Sequence, residues 1–313
     1  MQLENQVMLD FDISPVGTSR LGEVDFDNLT FGKVFSDHMF VMDYAEGAWQ
    51  RGEISAYGPM TFSPAMMSLH YGQAIFEGMK AFRQQDGSVS LFRPGRNIQR
   101  LNFSARRLSM PEVPEDIMFQ AIVELVKLDS NWVPSAPDSA LYIRPFMFAT
   151  ESHVGVRPSN NYRLCVFTCP VGAYYTQPVR VKVETKFTRA ASGGTGAAKA
   201  AGNYAGSLHP TELAKSEGYD QILWTDGATH TKVEECGTMN VGFVMDGKLV
   251  VPATSDTVLS GVTRASAVEL MRHEGMVVEE RVVEVKELHE AIQAGRLTEA
   301  FGLGTAATIS PIC

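Results

Sequence analysis

One lysine in this chain sits among residues too small to crowd it, in the run Ser192-Gly-Gly-Thr-Gly-Ala-Ala-Lys199-Ala-Ala-Gly-Asn-Tyr204. Small neighbours leave room for a flat ligand. A lysine without carboxylates nearby can be desolvated, which lowers its pKa and makes it a Schiff-base nucleophile. Read alone, the segment is equally a glycine-rich surface loop with a solvated lysine. A phosphate-binding P-loop is excluded, because it needs Gly directly before the lysine and Ser or Thr directly after it. Here those neighbours are Ala198 and Ala200.

Further along, Lys232-Val-Glu-Glu-Cys-Gly-Thr-Met-Asn240 offers carboxylates at the end of a strand before a glycine turn. They are either a solvated strand end or a partner for a cofactor with a pyridine nitrogen, which a carboxylate keeps protonated. Ser260-Gly-Val-Thr-Arg264 opens a helix, and the free N–H groups of a helix start form an anion site that suits a phosphate. Ordinary helix capping is the alternative.

The elements that must position these groups fall into two halves, as expected for 313 residues, since one domain usually has about 100–150. In the first half, Phe35–Asp43 reads as a strand, Gly47–Arg51 as a turn and Ala81–Arg93 as two short strands around Gln85–Gly87. Pro94–Met110 and Pro114–Leu128 read as surface helices, Ala140–Ala149 and Tyr162–Gly172 as buried strands. The domain boundary is placed in the loop that follows, giving residues 1–173, a connection at 174–178 and a second domain at 179–313.

That second half is predicted to be strand-rich and antiparallel. Val179–Thr185, Tyr219–Trp224, Lys232–Glu235, Val241–Met245 and Lys248–Val251 are its strands, with tight hairpins at Asp226-Gly227 and Asp246-Gly247. Val262–His273 is its helix, running from Gly261 to a stop at Gly275.

Composition excludes several function classes. A net charge of -9 argues against a nucleic-acid surface, which needs clustered Lys and Arg. Acidic residues in Met1–Thr18 leave no signal-peptide core, and no apolar run reaches the ~18–20 residues of a membrane span. A cytoplasmic location is therefore expected. The four cysteines, Cys165, Cys169, Cys236 and Cys313, read as free thiols, and the seven histidines form no metal-ligand pair.

In this order, the segments resemble the branched-chain amino-acid aminotransferases, which are fold-type IV pyridoxal-phosphate enzymes. The resemblance covers nearly the whole chain. It begins at Phe31-Gly-Lys-Val-Phe-Ser-Asp-His-Met39 and runs through Leu69-His-Tyr-Gly-Gln-Ala-Ile-Phe-Glu-Gly-Met-Lys-Ala-Phe82, Leu91-Phe-Arg-Pro94 and Leu141-Tyr-Ile-Arg-Pro145. It continues through the Lys199 run, Glu235-Cys-Gly-Thr-Met-Asn240, the helix start at Gly261 and Phe301-Gly-Leu-Gly-Thr-Ala306. The fold it implies is α/β (α+β), with a small N-terminal α/β domain and a larger strand-rich pseudo-barrel domain.

The resemblance also implies roles. Lys199 forms the Schiff base with pyridoxal 5'-phosphate and then shuttles a proton. Glu235 holds the pyridine nitrogen, and Tyr204 the ring oxygen. Arg93 holds the phosphate with the backbone of Val262 and Thr263 and the Thr305 hydroxyl. Arg189 aligns with a family arginine near the cofactor, or is a surface arginine. Phe31, Tyr71, Phe76, Tyr142, Thr238 and Ala306 line an apolar substrate pocket, with Val154 and Val156 reaching in from the partner of a homodimer. Arg144 and the backbone at Thr305-Ala306 handle carboxylates. The implied reaction is ping-pong amino transfer between leucine, isoleucine or valine and 2-oxoglutarate, giving branched 2-oxo acids and L-glutamate.

Three departures and three alternatives accompany that reading. Family chains continue for several tens of residues beyond the Gly-Thr-Ala segment, so further strand and helix of the second domain are expected to be missing. Thr305-Ala-Ala-Thr-Ile-Ser310 lacks the CxxC of mammalian members, which excludes a thiol switch there. Pro210 falls inside the helix after Lys199 and predicts a later start or a bend. The alternatives are an inactive truncated homologue, a related fold-type IV enzyme (a D-amino-acid aminotransferase or an aminodeoxychorismate lyase), and a nucleotide-binding protein disfavoured by the failed P-loop.

Overall fold

The computed structural model describes residues 11–172 and 177–313. The expected interdomain connection at 174–178 lies mostly outside the described residues. The chain divides into two compact units, Met1–Gly172 and Ala173–Cys313.

The first unit is built on β1 (Phe11–Ile13), β2 (His38–Ala45), β3 (Ala48–Trp49), β4 (Gly52–Ala56), α1 (Met67–Tyr71), β5 (Ala74–Phe76), β6 (Met79–Arg83) and β7 (Val89–Leu91). Two longer helices follow, α2 (Pro94–Arg107) and α3 (Glu115–Leu128), and then β8 (Ala140–Ala149) and β9 (Tyr162–Val171). The strands form one sheet in the order β1-β4-β2-β9-β8-β6-β7, with β3 beside β2 and β5 beside β8. All pairings are antiparallel except β1 with β4.

Helix α2 starts on Pro94, whose fixed φ suits a first helical position. It buries Ile98, Leu101 and Ala105, the spacing of one helical face. Helix α3 likewise buries Met118, Ala121, Ile122, Leu125 and Val126. These side chains join Phe40, Ile54, Met79, Leu141, Ile143 and Leu164 of the sheet in one core. Asn102 ties the connection between the helices, accepting from the Val113 N–H and donating to its carbonyl, both at 2.8 Å.

The second unit holds β10 (Val181–Val183), α4 (Ala201–Ser216), β11 (Gln221–Thr225), β12 (Val233–Cys236), β13 (Asn240–Met245), β14 (Lys248–Pro252), α5 (Val262–His273), β15 (Val278–Arg281), α6 (Val285–Gln293), β16 (Leu297–Gly304) and β17 (Thr308–Pro311). Three strands pair as β10-β11-β12 and five as β15-β14-β13-β16-β17. The expected antiparallel order holds within most of it, but β10 with β11 and β14 with β15 are parallel. The sequence reading has no counterpart for α6 or for β15 to β17.

Three local expectations meet different fates. Asp246-Gly247 is a two-residue hairpin closed by Met245 opposite Lys248, with φ of 50° and 73° at the two turn residues, as that dipeptide favours. Asp226-Gly227 is not. There the chain takes a longer connection before β12, because the Asp226 carboxylate accepts from the Thr229, Thr231 and Lys232 N–H groups and the Thr229 hydroxyl. Pro210 neither delays α4 nor ends it: the helix begins at Ala201, two residues after Lys199, and runs through to Ser216. One helical hydrogen bond is forfeited, while Ala214 of the following turn packs with Ile222 and Trp224 of β11. Tertiary packing outweighs the local penalty.

Among the described residues no helix is long and apolar enough to cross a membrane. Beneath α2, the buried Glu77 accepts from Arg100 Nε at 2.7 Å and Nη2 at 2.9 Å, and from Asn97 Nδ2 at 2.9 Å. Removing one partner of such a pair costs about 3–5 kcal/mol, because a buried charge is left uncompensated. Arg100→Met is therefore expected to lower the urea midpoint sharply, and Glu77→Gln with Arg100→Met to lower it less; equal midpoints for the two would show that the pair is not what holds this region.

Candidate active site

Two side-chain clusters, one in each unit, gather most of the residues singled out in the sequence. In the second unit, Lys199 is half-buried at the end of the small-residue run, just before α4. Its Nζ donates to the Tyr204 hydroxyl at 2.7 Å and lies 5.1 Å from the centre of that ring. The helix supplies Tyr204 one turn in, so Lys199 and Tyr204 are side by side because α4 starts where it does. Asn203 fastens the run to the same turn, donating to the carbonyls of Thr195 at 2.8 Å and Ala198 at 2.9 Å.

Glu235 enters the same space from β12. Its side chain is 5% exposed and Arg189 is 9% exposed, with Arg189 Nε 3.3 Å from Glu235 Oε2. That approach is close enough for charge pairing but is not aligned as a hydrogen bond, and Arg189 Nε has no hydrogen-bond partner among the described residues. Arg189 Nη2 instead donates to the Thr257 carbonyl. Glu235 Oε1 accepts the Leu259 N–H at 2.7 Å. Burial pushes the Glu235 carboxyl above the ordinary carboxylate range, and Arg189 and the Leu259 N–H oppose that push. Both bland alternatives are thereby overturned: Glu235 is not a solvated strand end, nor Arg189 a surface arginine.

Arg189, Tyr204, Glu235 and Thr238 line one cavity with Asn203, Ser207 and Gly237. Thr238 is exposed in the turn after β12, where Gly237 has a φ of 57°, a left-handed conformation that glycine adopts without steric cost. Val262 and Thr263 are the first residues of α5, whose start at Gly261 has no side-chain cap. The first N–H groups of a helix have no acceptor within the helix itself. A side chain at Gly261 would collide with Asn240 Oδ1. Thr305 and Ala306 lie half-buried in the turn between β16 and β17.

In the first unit, Phe31 packs edge-on to Tyr142 at 5.1 Å. Arg144 Nη2 donates to the Tyr142 hydroxyl at 3.1 Å, and its guanidinium lies 4.9 Å from the Phe76 ring centre and 5.2 Å from that of Tyr142. Cation–π geometry of this kind holds an arginine without an acid. Tyr71 is 39% exposed, and Val154 and Val156, in the connection from β8 to β9, are 67% and 87% exposed. Arg93 immediately precedes α2 with a φ of 47°, which is uncommon for a residue other than glycine.

A lysine amine against a phenol, with a buried carboxylate and an uncapped helix start in the same unit, is the composition of a site for a phosphorylated heteroaromatic. The sequence profile of the family described as Amino-transferase class IV matches residues 74–313. The chain belongs to that family. It is 48% identical to the branched-chain-amino-acid transaminase 1 of Bacillus subtilis (strain 168) over 293 residues, which are 92% of this chain and 82% of that one. Among solved structures it is similar to the branched-chain aminotransferase from Thermoproteus uzoniensis with norvaline, at TM-score 0.74 and 25% identity over 88% of this chain and 86% of that one. It is also similar to the T.th. branched-chain amino acid aminotransferase complexed with N-(5'-phosphopyridoxyl)-L-glutamate, at TM-score 0.70 and 25% identity over 87% and 84%.

This class IV aminotransferase also uses residues that sequence reasoning missed. The segment Ser255–Leu259, before α5, supplies the Thr257 carbonyl to Arg189 and the Leu259 N–H to Glu235. The Asp256 carbonyl accepts the Ala197 N–H at 2.9 Å, and its carboxylate takes the Ser192 hydroxyl and the Gly193 N–H, both at 2.7 Å. That segment therefore holds the lysine-bearing run in place. The available signal was its position directly ahead of Ser260-Gly261, but it contains no residue whose type alone announces chemistry.

All four cysteines are free thiols, and Cys165, Cys169 and Cys236 are buried. Burial pushes their thiols up to about 12, about 11 and about 12 respectively, so they carry almost no thiolate near neutrality. At pH 8 a disulfide reagent is expected to titrate only the exposed Cys313 in the native class IV aminotransferase, and all four cysteines in denaturant. Rapid modification of a second thiol in the native chain would contradict the packing around β9 and β12.

Proposed function

We propose that this chain is a pyridoxal-phosphate-dependent branched-chain L-amino-acid aminotransferase. It exchanges the amino group of leucine, isoleucine or valine with 2-oxoglutarate, yielding branched 2-oxo acids and L-glutamate. The observation that carries the reading is Lys199 Nζ at 2.7 Å from the Tyr204 hydroxyl, in the same unit as the buried Arg189–Glu235 pair. The relatives named above are transaminases of this substrate class, and one of them is complexed with a phosphopyridoxyl-glutamate.

The residues present fit the cofactor. When bound, it supplies an electron sink that acidifies the substrate Cα–H. Lys199 would hold it through Nζ, and the same amine would carry the proton to and from the substrate carbon. Tyr204 accepts a hydrogen bond from Nζ, which orients the amine. Glu235, an acceptor held by the Leu259 N–H, would hold the ring nitrogen of the cofactor. The N–H groups of Val262 and Thr263, the Thr305 hydroxyl and the Arg93 guanidinium are assigned to the phosphate.

Phe31, Tyr71, Phe76, Tyr142, Thr238 and Ala306 are assigned to an apolar substrate wall, which excludes water as a branched side chain requires. Arg144 is assigned to carboxylates. Its guanidinium rests on aromatic faces and forms no ion pair among the described residues, which supports that role. The chain acts as a cytoplasmic homodimer in this reading, and the exposed Val154 and Val156 reach the substrate of the partner subunit.

Lys199→Ala is expected to lower amino transfer from L-leucine to 2-oxoglutarate by at least about 10²–10⁴-fold, the scale of a lost acid–base group, while the phosphate contacts still bind free cofactor. Borohydride treatment of the wild type with cofactor should leave a pyridoxyl group on the peptide containing Lys199, and none in the variant. Undiminished turnover by Lys199→Ala would refute the assignment.

A further inference from the structure

Glu234 has no part in the roles assigned above, yet its side chain is buried next to Glu235. A buried carboxyl is costly unless its hydrogen bonds or charge are matched. Glu234 Oε1 accepts the Thr257 hydroxyl at 2.5 Å, while Oε2 has no hydrogen-bond partner among the described residues. Successive strand residues point to opposite faces, so Glu234 and Glu235 leave β12 in opposite directions. Both nevertheless fasten the segment Ser255–Leu259, one at the Thr257 side chain and the other at the Leu259 N–H.

We propose that Glu234 is a positioning residue for the cofactor site: through the Thr257 hydroxyl it fixes the Thr257 carbonyl that holds Arg189 beside Glu235. The inference rests on the reading of Glu235 as the partner of the pyridine nitrogen. Each link is a contact in the structure, from Glu234 to the Thr257 hydroxyl, from the Thr257 carbonyl to Arg189 Nη2, and from Arg189 Nε to Glu235. The Lys199-bearing run presses against the same point, since a Cβ at Gly196 would come within 2.8 Å of both Thr257 Cα and Thr257 O. A displaced Thr257 therefore disturbs the guanidinium and the lysine run together.

Charge supports the same assignment. Burial pushes the Glu234 carboxyl up, with the Thr257 hydroxyl and Arg189 opposing. Arg189 opposes the upward push at both carboxyls, so charge at Glu234 draws on the same guanidinium that Glu235 uses. Glutamine at this position would still accept from the Thr257 hydroxyl without adding charge, so it should preserve the site where alanine does not.

The test uses the full chain with pyridoxal phosphate and three readouts: the cofactor Kd, the pH midpoint of the bound cofactor's visible band, and the Tm of the cofactor-free protein. A borohydride-stable pyridoxyl adduct on wild-type Lys199 comes first; its absence would overturn the functional reading and this inference with it. Given the adduct, Glu234→Ala and Thr257→Val should each weaken cofactor binding about tenfold, the scale of one hydrogen bond, and move the pH midpoint. The double variant should be no worse than either single one. Glu234→Gln and Thr257→Ser should stay within about twofold of wild type, since each keeps the hydrogen bond. Overturning results are a Thr257→Val that lowers only the Tm and leaves Kd and midpoint unchanged, or a Glu234→Gln as damaging as Glu234→Ala.

Discussion

Arg189 is one cation buried against two neighbouring carboxyl groups, and removing three such groups from water is costly unless each finds a fixed partner. The second unit meets that requirement with one short segment. The Thr257 carbonyl takes the guanidinium, the Leu259 N–H takes Glu235, and the Thr257 hydroxyl takes Glu234. Because these partners belong to one short segment, the geometry of Ser255–Leu259 is dictated from several sides at once. The same segment receives Ala197, Ser192 and Gly193 of the lysine run, and α5 begins just beyond it. The polar network thus fixes the lysine, the glutamate and the helix start relative to one another, which is the preorganisation an electrostatic site needs.

The first unit solves a different problem. Its burial of Glu77 is met by a bidentate arginine and an asparagine from α2, which pins the helix to the connection between β5 and β6. Glycine at position 78 lets the Tyr142 hydroxyl come close, since any Cβ there would collide with it. Tyr142 then supports Arg144 and meets Phe31, so an apolar cluster with one guanidinium forms from residues more than a hundred positions apart in sequence. This cluster is held by aromatic faces and one hydroxyl, in contrast to the charged network of the second unit.

Much of the fold is legible in the sequence where one strong local signal dominates. Ala140–Ala149 and Val262–His273 read as the strand and helix that they are, because continuous apolar character or a clean helical stripe leaves little competition. Asp246-Gly247 reads as a hairpin for the same reason. Asp226-Gly227 does not form the tight turn its dipeptide favours, and Pro210 neither delays nor ends its helix. A carboxylate with several amide donors in reach stabilises a longer loop, and packing against β11 carries α4 through a proline. The strands β15 and β16 are illegible by period alone, since several of their residues are partly exposed and they pair with β14 and β13, far away in sequence, whereas α6 carries a helical stripe at Val285, Leu288, Ala291 and Ile292 that the sequence reading passed over.

The sequence by itself determined the chemistry: a lysine among small residues, a glutamate before a glycine turn, a glycine-led helix start, and a resemblance spanning nearly the whole chain. Those signals are local, set by residue type and short spacing, so they survive without coordinates. Only the tertiary structure decided which glutamate pairs with Arg189, that Arg189 is buried and not on the surface, and that Thr257 and Asp256 anchor Arg189 and the lysine run. Adjacent glutamates in a strand differ only in which face they occupy, and a threonine becomes functional through the position of its carbonyl and hydroxyl. Both properties arise from long-range packing and the loss of solvent, which residue type does not encode.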